Sequence, residues 1–137
     1  MLRTTGCATT CTYASGRPVT KILIVEDDTP SAEVISDLLE YEGFVVRRAA
    51  NATEAMDSVR TFTPDVVLVD LQLPSIDGRA FVELYRRGVR PAASVIVMSG
   101  RDDGPKMAAA MHADAYVAKP FDLTDLLRAI SVTVSAA

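Results

Sequence analysis

Val66-Val-Leu-Val-Asp70 is an unbroken aliphatic run, mostly β-branched, that acquires a charge only at its last position. Its length is that of a strand. With no polar residue at alternate positions, both faces need covering, which suits the middle of a parallel sheet flanked by helices. In open α/β sheets ligands gather beyond the carboxyl ends of the strands, so Asp70 stands where chemistry is usually done. On its own, Asp70 reads equally well as a turn former or as the cap of a following helix.

Working outward, Lys21-Ile-Leu-Ile-Val25 repeats the buried-strand pattern and runs into three acids, Glu26, Asp27 and Asp28. Ser94-Val-Ile-Val-Met98 is followed at once by a hydroxyl, Ser99, and Ala115-Tyr-Val-Ala118 leads into Lys119-Pro120. Phe44-Val-Val-Arg-Arg-Ala49 is a further short strand whose arginines predict a place nearer the sheet edge. Helical patterns fill the intervals. Thr29 is expected to cap the first, with Pro30 at its first position, Glu33 complementing the dipole, and Val34, Ile35, Leu38, Leu39 and Tyr41 forming its apolar stripe up to Gly43. Asn51 caps the second, which carries Ala55, Met56, Val59 and Phe62, and Pro64 forces an extended entry into the Asp70 strand. Phe81, Leu84 and Tyr85 mark the third, an Ala-rich segment from about Pro105 to Met111 the fourth, and Leu123, Leu126, Leu127, Ile130 and Val134 the fifth. Strands alternating with helices in this way predict one doubly wound α/β domain over residues 21–137. Residues 1–20, rich in Thr, Ser and Gly without a period, predict a flexible tail.

Composition narrows the function classes. The chain has 137 residues, 49% hydrophobic and 23% charged, enough for one domain with a real core. A net charge of −4 argues against an electrostatic grip on nucleic acid or on an anionic membrane. No apolar run approaches bilayer length and the first residues lack a signal-peptide core, which predicts a cytoplasmic protein. Cys7 and Cys11 sit in the tail, and His112 is the only histidine, so no four-ligand zinc site can be completed; the two thiols read as reduced or incidental.

All parallel strand ends of one sheet open on the same rim, so Glu26, Asp27, Asp70, Ser99 and Lys119 should converge. Crowded carboxylates repel one another unless a cation joins them, and hard oxygen donors with room for water suit Mg²⁺. Acids, a hydroxyl and an amine on one rim are what phosphoryl transfer needs.

With Ile22-Leu-Ile-Val-Glu-Asp-Asp28, Val67-Leu-Val-Asp70-Leu-Gln-Leu-Pro74, Asp77-Gly78, Val97-Met-Ser99 and Tyr116-Val-Ala-Lys119-Pro-Phe121 in this order, the chain resembles the receiver domain of bacterial two-component response regulators, over Lys21 to about Val134. The resemblance implies a flavodoxin-like (βα)5 sheet of strand order 2-1-3-4-5. It makes Asp70 the phosphoacceptor, with a phosphohistidine on a sensor histidine kinase or histidine phosphotransfer protein as donor. The receiver itself largely catalyses transfer, and it does not turn over a diffusible substrate. Asp27 matches a direct Mg²⁺ ligand, Glu26 its companion acid, the Gln72 backbone carbonyl a further ligand, Ser99 the switch hydroxyl, Tyr116 the switch aromatic, and Lys119-Pro120 a cis peptide. His112 stands where the family commonly has Gly, which predicts a left-handed non-glycine residue, and the segment from Ser99 to Lys119 is slightly short. Arg101 and Gln72 hold positions that in the family tune how water reaches the acyl phosphate.

Because the chain stops after the fifth helix, a stand-alone regulator is expected, switching a protein-binding surface made by the fourth helix, fifth strand and fifth helix. Met107-Ala-Ala-Ala-Met111 would line it beside Tyr116, with at least one of the two Met side chains expected in the core. The rivals are a phosphorylation-independent pseudo-receiver and a phosphatase of the haloacid dehalogenase type. The phosphatase would want a second Asp where Gln72 stands.

Overall fold

The structure, a computed structural model, describes residues 20–71, 78–88 and 92–136. Its elements are β1 (Lys21–Val25), α1 (Thr29–Tyr41), β2 (Val45–Ala49), α2 (Ala52–Thr61), β3 (Val66–Asp70), α3 (Gly78–Gly88), β4 (Ser94–Ser99), α4 (Gly104–Ala110), β5 (Ala115–Ala118) and α5 (Leu123–Ala136). The strands form one parallel sheet in the order β2-β1-β3-β4-β5. Strand β3 lies at the centre of the sheet, with all five of its residues buried.

Because side chains alternate across a strand, the sheet builds two cores. On one face Leu23, Val25, Val67, Val69, Val95 and Val97 meet Ala55 and Val59 of α2, Phe81, Val82 and Tyr85 of α3, and Ala108 of α4. On the other, Ile22, Ile24, Val66, Leu68, Ile96 and Met98 meet Ile35 and Leu39 of α1 and Leu126 and Ile130 of α5. This two-sided cover is why the central strands carry no polar alternation. At the edge, β2 pairs only with β1 and leaves Arg47 and Arg48 exposed.

Three local expectations are corrected. The cap of α1 is Asp28, not Thr29: its extended backbone lets the carboxylate accept the Ser31 amide at 3.0 Å, so it also supplies the charge at the helix start that Glu33 was expected to give. The buried face of α1 is Ala32, Ile35, Ser36 and Leu39, which turns Val34, Leu38 and Tyr41 to solvent. Leu84 is likewise outside, because α3 presents Phe81, Val82 and Tyr85 to the sheet. Helix α4, Gly104–Ala110, lies where the Ala-rich segment predicted a helix. His112 adopts φ 55°, the left-handed backbone expected of it, and Lys119-Pro120 is cis. Among the described residues no helix is long and apolar enough to cross a membrane.

Candidate functional site

Parallel register brings the strand ends level. Val25 lies beside Val69, Asp70 beside Met98, and Ser99 beside Ala118, so Glu26, Asp70, Ser99 and Lys119 emerge on one rim from four neighbouring strands. Glu26 and Asp70 are buried, 2% and 4% exposed, while Asp27 next to them faces solvent. From β5 the Lys119 ammonium reaches across the rim, 2.8 Å from Glu26 Oε1 and 3.0 Å from Asp70 Oδ2.

One ammonium does not balance this cluster. Burial, reinforced by a hydrogen bond and repulsion from Asp70, pushes the Glu26 carboxyl up to about 7 although Lys119 pulls it down. Burial also works against the Lys119 charge, but its hydrogen bonds to Glu26 and Asp70 outweigh that and hold its pKa above the ordinary value. One carboxylate oxygen from each of Glu26, Asp27 and Asp70 lies within 4.8 Å of the others, a donor set of hard oxygens that fits a small divalent cation. Gln72, expected to add its carbonyl, lies outside the described residues, as do Pro74 and Asp77.

Ser99 is buried at the end of β4, where its Oγ accepts the Arg101 amide at 3.0 Å. The Tyr116 ring is part-buried on the α3 side of the sheet, and its hydroxyl donates to the Ser99 carbonyl oxygen at 3.1 Å. Met111 is buried, as expected of at least one of the two methionines, and Met107 is partly buried and packs on the edge of the same core. Asp28, left out of the site on sequence, is accounted for by its capping of α1.

Two glycines escaped the sequence reading. A Cβ on Gly78 would lie 2.8 Å from both the Asp70 carbonyl oxygen and Val69 Cγ1, so α3 starts flush against the end of β3 only because that residue has no side chain. The Asp77-Gly78 pair signals a turn in the sequence, but not this contact. Gly104 is similarly pressed against Tyr116.

The family model of the response regulator receiver domain matches residues 22–131. The chain belongs to that family. Among similar curated proteins, the response regulator MprA of Mycobacterium tuberculosis is 32% identical over 111 residues, covering 78% of this chain and 47% of MprA. The chain spans about half the length of the curated relatives it matches, several of which are named as transcriptional regulators. Solved receiver domains cover it more evenly. The CheY-like receiver from Methanospirillum hungatei is 30% identical with a TM-score of 0.78, covering 86% of this chain and 95% of that one. The receiver from Bermanella marisrubri is 32% identical with a TM-score of 0.79, covering 85% and 98%. The flavodoxin-like receiver fold and a place in two-component signalling are thereby established for this chain, and Glu26, Asp27 and Asp70 form the acidic cluster typical of such domains.

Proposed function

We propose that Asp70 accepts a phosphoryl group from a phosphohistidine on a sensor histidine kinase or a histidine phosphotransfer protein. The observation that carries this is the Lys119 ammonium, held between Glu26 and Asp70 on the carboxyl rim of the sheet. An Asp70 carboxylate oxygen attacks phosphorus as the phosphorus–nitrogen bond to the donor imidazole breaks. The electron pair of that bond stays on the ring nitrogen. Lys119 is already at hydrogen-bond distance from Asp70, so it can follow the charge that develops on the transferring oxygens with little reorganisation. Glu26, Asp27 and Asp70, with the Gln72 carbonyl, would hold Mg²⁺, which supplies further charge neutralisation there. The donor set fits, and the surplus of negative charge around Glu26 gives it a reason to bind.

Once Asp70 is phosphorylated, the Ser99 hydroxyl can donate to a phosphoryl oxygen. That contact exists in one state only, which is what shifts a two-state element. Tyr116, bonded to the carbonyl of the same residue, links that change to α4 and β5. The proposed output is contact with another protein through α4, β5 and α5, in the cytoplasm with the donor. A net charge of −4 supports protein contact over direct nucleic-acid binding.

Incubating the protein with Mg²⁺ and acetyl phosphate, followed by intact mass measurement, tests the assignment. The parent is expected to gain one phosphoryl group and Asp70→Asn none, since the amide keeps the shape and loses the nucleophilic charge. A parent that stays unmodified, or release of phosphate without a labelled protein, would overturn it.

A further inference from the structure

The contact between Gly104 and Tyr116 joins the first residue of α4 to the residue of β5 proposed as a switch. Gly104 is buried, and a Cβ built on it would lie 3.0 Å from Cε1 and Cζ of the Tyr116 ring and closer still to its hydroxyl oxygen. Real Cβ atoms do not approach a ring and its hydroxyl together in this way, so every other L residue at position 104 competes with the ring for the same volume. The ring is the part that can leave. Gly104 is fixed by its amide, which donates to the Arg101 carbonyl at 3.1 Å, and by α4, whose Ala108 and Met111 are buried in the core. Tyr116 is held inward by one hydrogen bond from its hydroxyl to Ser99 O and can rotate about χ1 toward solvent.

We propose that Gly104 is a steric gate for the switch: the missing side chain at the start of α4 admits the inward rotamer of Tyr116, and any side chain there excludes it. Gly104 is then a positioning residue that acts through Tyr116. This rests on the function proposed for Ser99 and Tyr116, and it adds a determinant that no strand-end motif contains. Two neighbouring glycines set the contrast. At Gly88 an added Cβ meets nothing within 4 Å, and at Gly100 it meets Lys119 Cβ at an ordinary 3.5 Å.

The gate predicts an inversion of sign. In a helix, Gly→Ala ordinarily stabilises by reducing backbone freedom in the unfolded chain. With the ring in place, Gly104→Ala should lower the thermal midpoint; in a Tyr116→Ala background the same change should raise it, as Gly88→Ala should in either background. In the metal-free, unphosphorylated protein, proton NMR should show the Tyr116 ring close to the Gly104 α-protons and Ser99 in the parent. In Gly104→Ala, the nuclear Overhauser contacts from the ring to Ser99 should be lost. With Mg²⁺ and acetyl phosphate, the Gly104→Ala variant should also lose the shift of the Tyr116 ring resonances that phosphorylation produces in the parent. Ring-to-Ser99 contacts that persist in Gly104→Ala, or an effect of Gly104→Ala on the midpoint of the same sign with and without the ring, overturns the gate. The ring position and the thermal cycle need no phosphoryl group. A parent that shows both results but is never phosphorylated therefore overturns the function proposed above and leaves the gate standing.

Discussion

Two buried carboxylates, Glu26 and Asp70, share one ammonium, and the balance of that trio governs how the site responds to pH. The Glu26 pKa is raised from 4.5 to about 7, burial being the main cause, so between those values the folded protein binds more protons than the unfolded chain. By linkage, the stability of the metal-free protein falls as pH rises through that window. A divalent cation competes with the same proton, so its apparent affinity should climb between about pH 5 and about pH 8 with proton release on binding. Calorimetric Mg²⁺ titrations in buffers of different ionisation enthalpy would show this, and a pH-independent affinity would contradict it. Glu26→Gln should flatten the pH dependence, and Asp27→Ala should weaken binding while leaving the buried trio intact. Lys119→Met strands two buried acids and should cost about 1–3 kcal/mol above the Glu26 pKa, and less below it, by denaturant unfolding.

At the scale of elements, α1 shows where a sequence reading reaches its limit. Val34, Leu38 and Tyr41 are spaced as a helical face, and so are Ile35 and Leu39; apolar periodicity cannot choose between two adjacent stripes, and the sheet chose the second. Val34→Thr and Tyr41→Ser should therefore change stability by no more than about 0.5 kcal/mol. Leu39→Ala, at a fully buried position, should cost about 2–5 kcal/mol. Chemical denaturation of the three variants checks the assignment; a large loss for Val34→Thr or Tyr41→Ser would reverse it. The central strands were easier to read than the helices because their runs are apolar on both faces. Whichever way such a run is turned, it is buried, and only its end needs locating. Glu26, Asp70, Ser99 and Lys119 were legible for that reason: each is the first polar residue beyond an apolar run, Asp70 and Ser99 as the last residues of β3 and β4, Glu26 and Lys119 directly after β1 and β5. Thr29 reads as the cap of α1 in the sequence because a run of three acids does not reveal which carboxylate turns back to the helix. Gly78 and Gly104 were illegible because what they accommodate comes from the adjoining strands, β3 and β5, through a packing contact that no local sequence pattern marks.

Across the whole molecule, the parallel sheet aligns the strand ends and turns unrelated segments into one site. Gly78 is part of that alignment. Gly78→Ala forces the end of β3 away from α3 and should destabilise the fold by about 1–3 kcal/mol, with a fall in Mg²⁺ affinity as Asp70 moves; unfolding and metal titration of the same variant would reveal both. The central claim concerns a single atom group in this arrangement, the Asp70 carboxylate. Its most direct test is to phosphorylate the protein with acetyl phosphate and Mg²⁺, reduce the acyl phosphate with borohydride, and sequence the peptides by mass spectrometry. The expected product is homoserine at position 70 in the parent and unmodified Asn in Asp70→Asn. Homoserine at position 27 in place of 70, or phosphate recovered as a borohydride-stable ester on Ser99, would contradict the assignment.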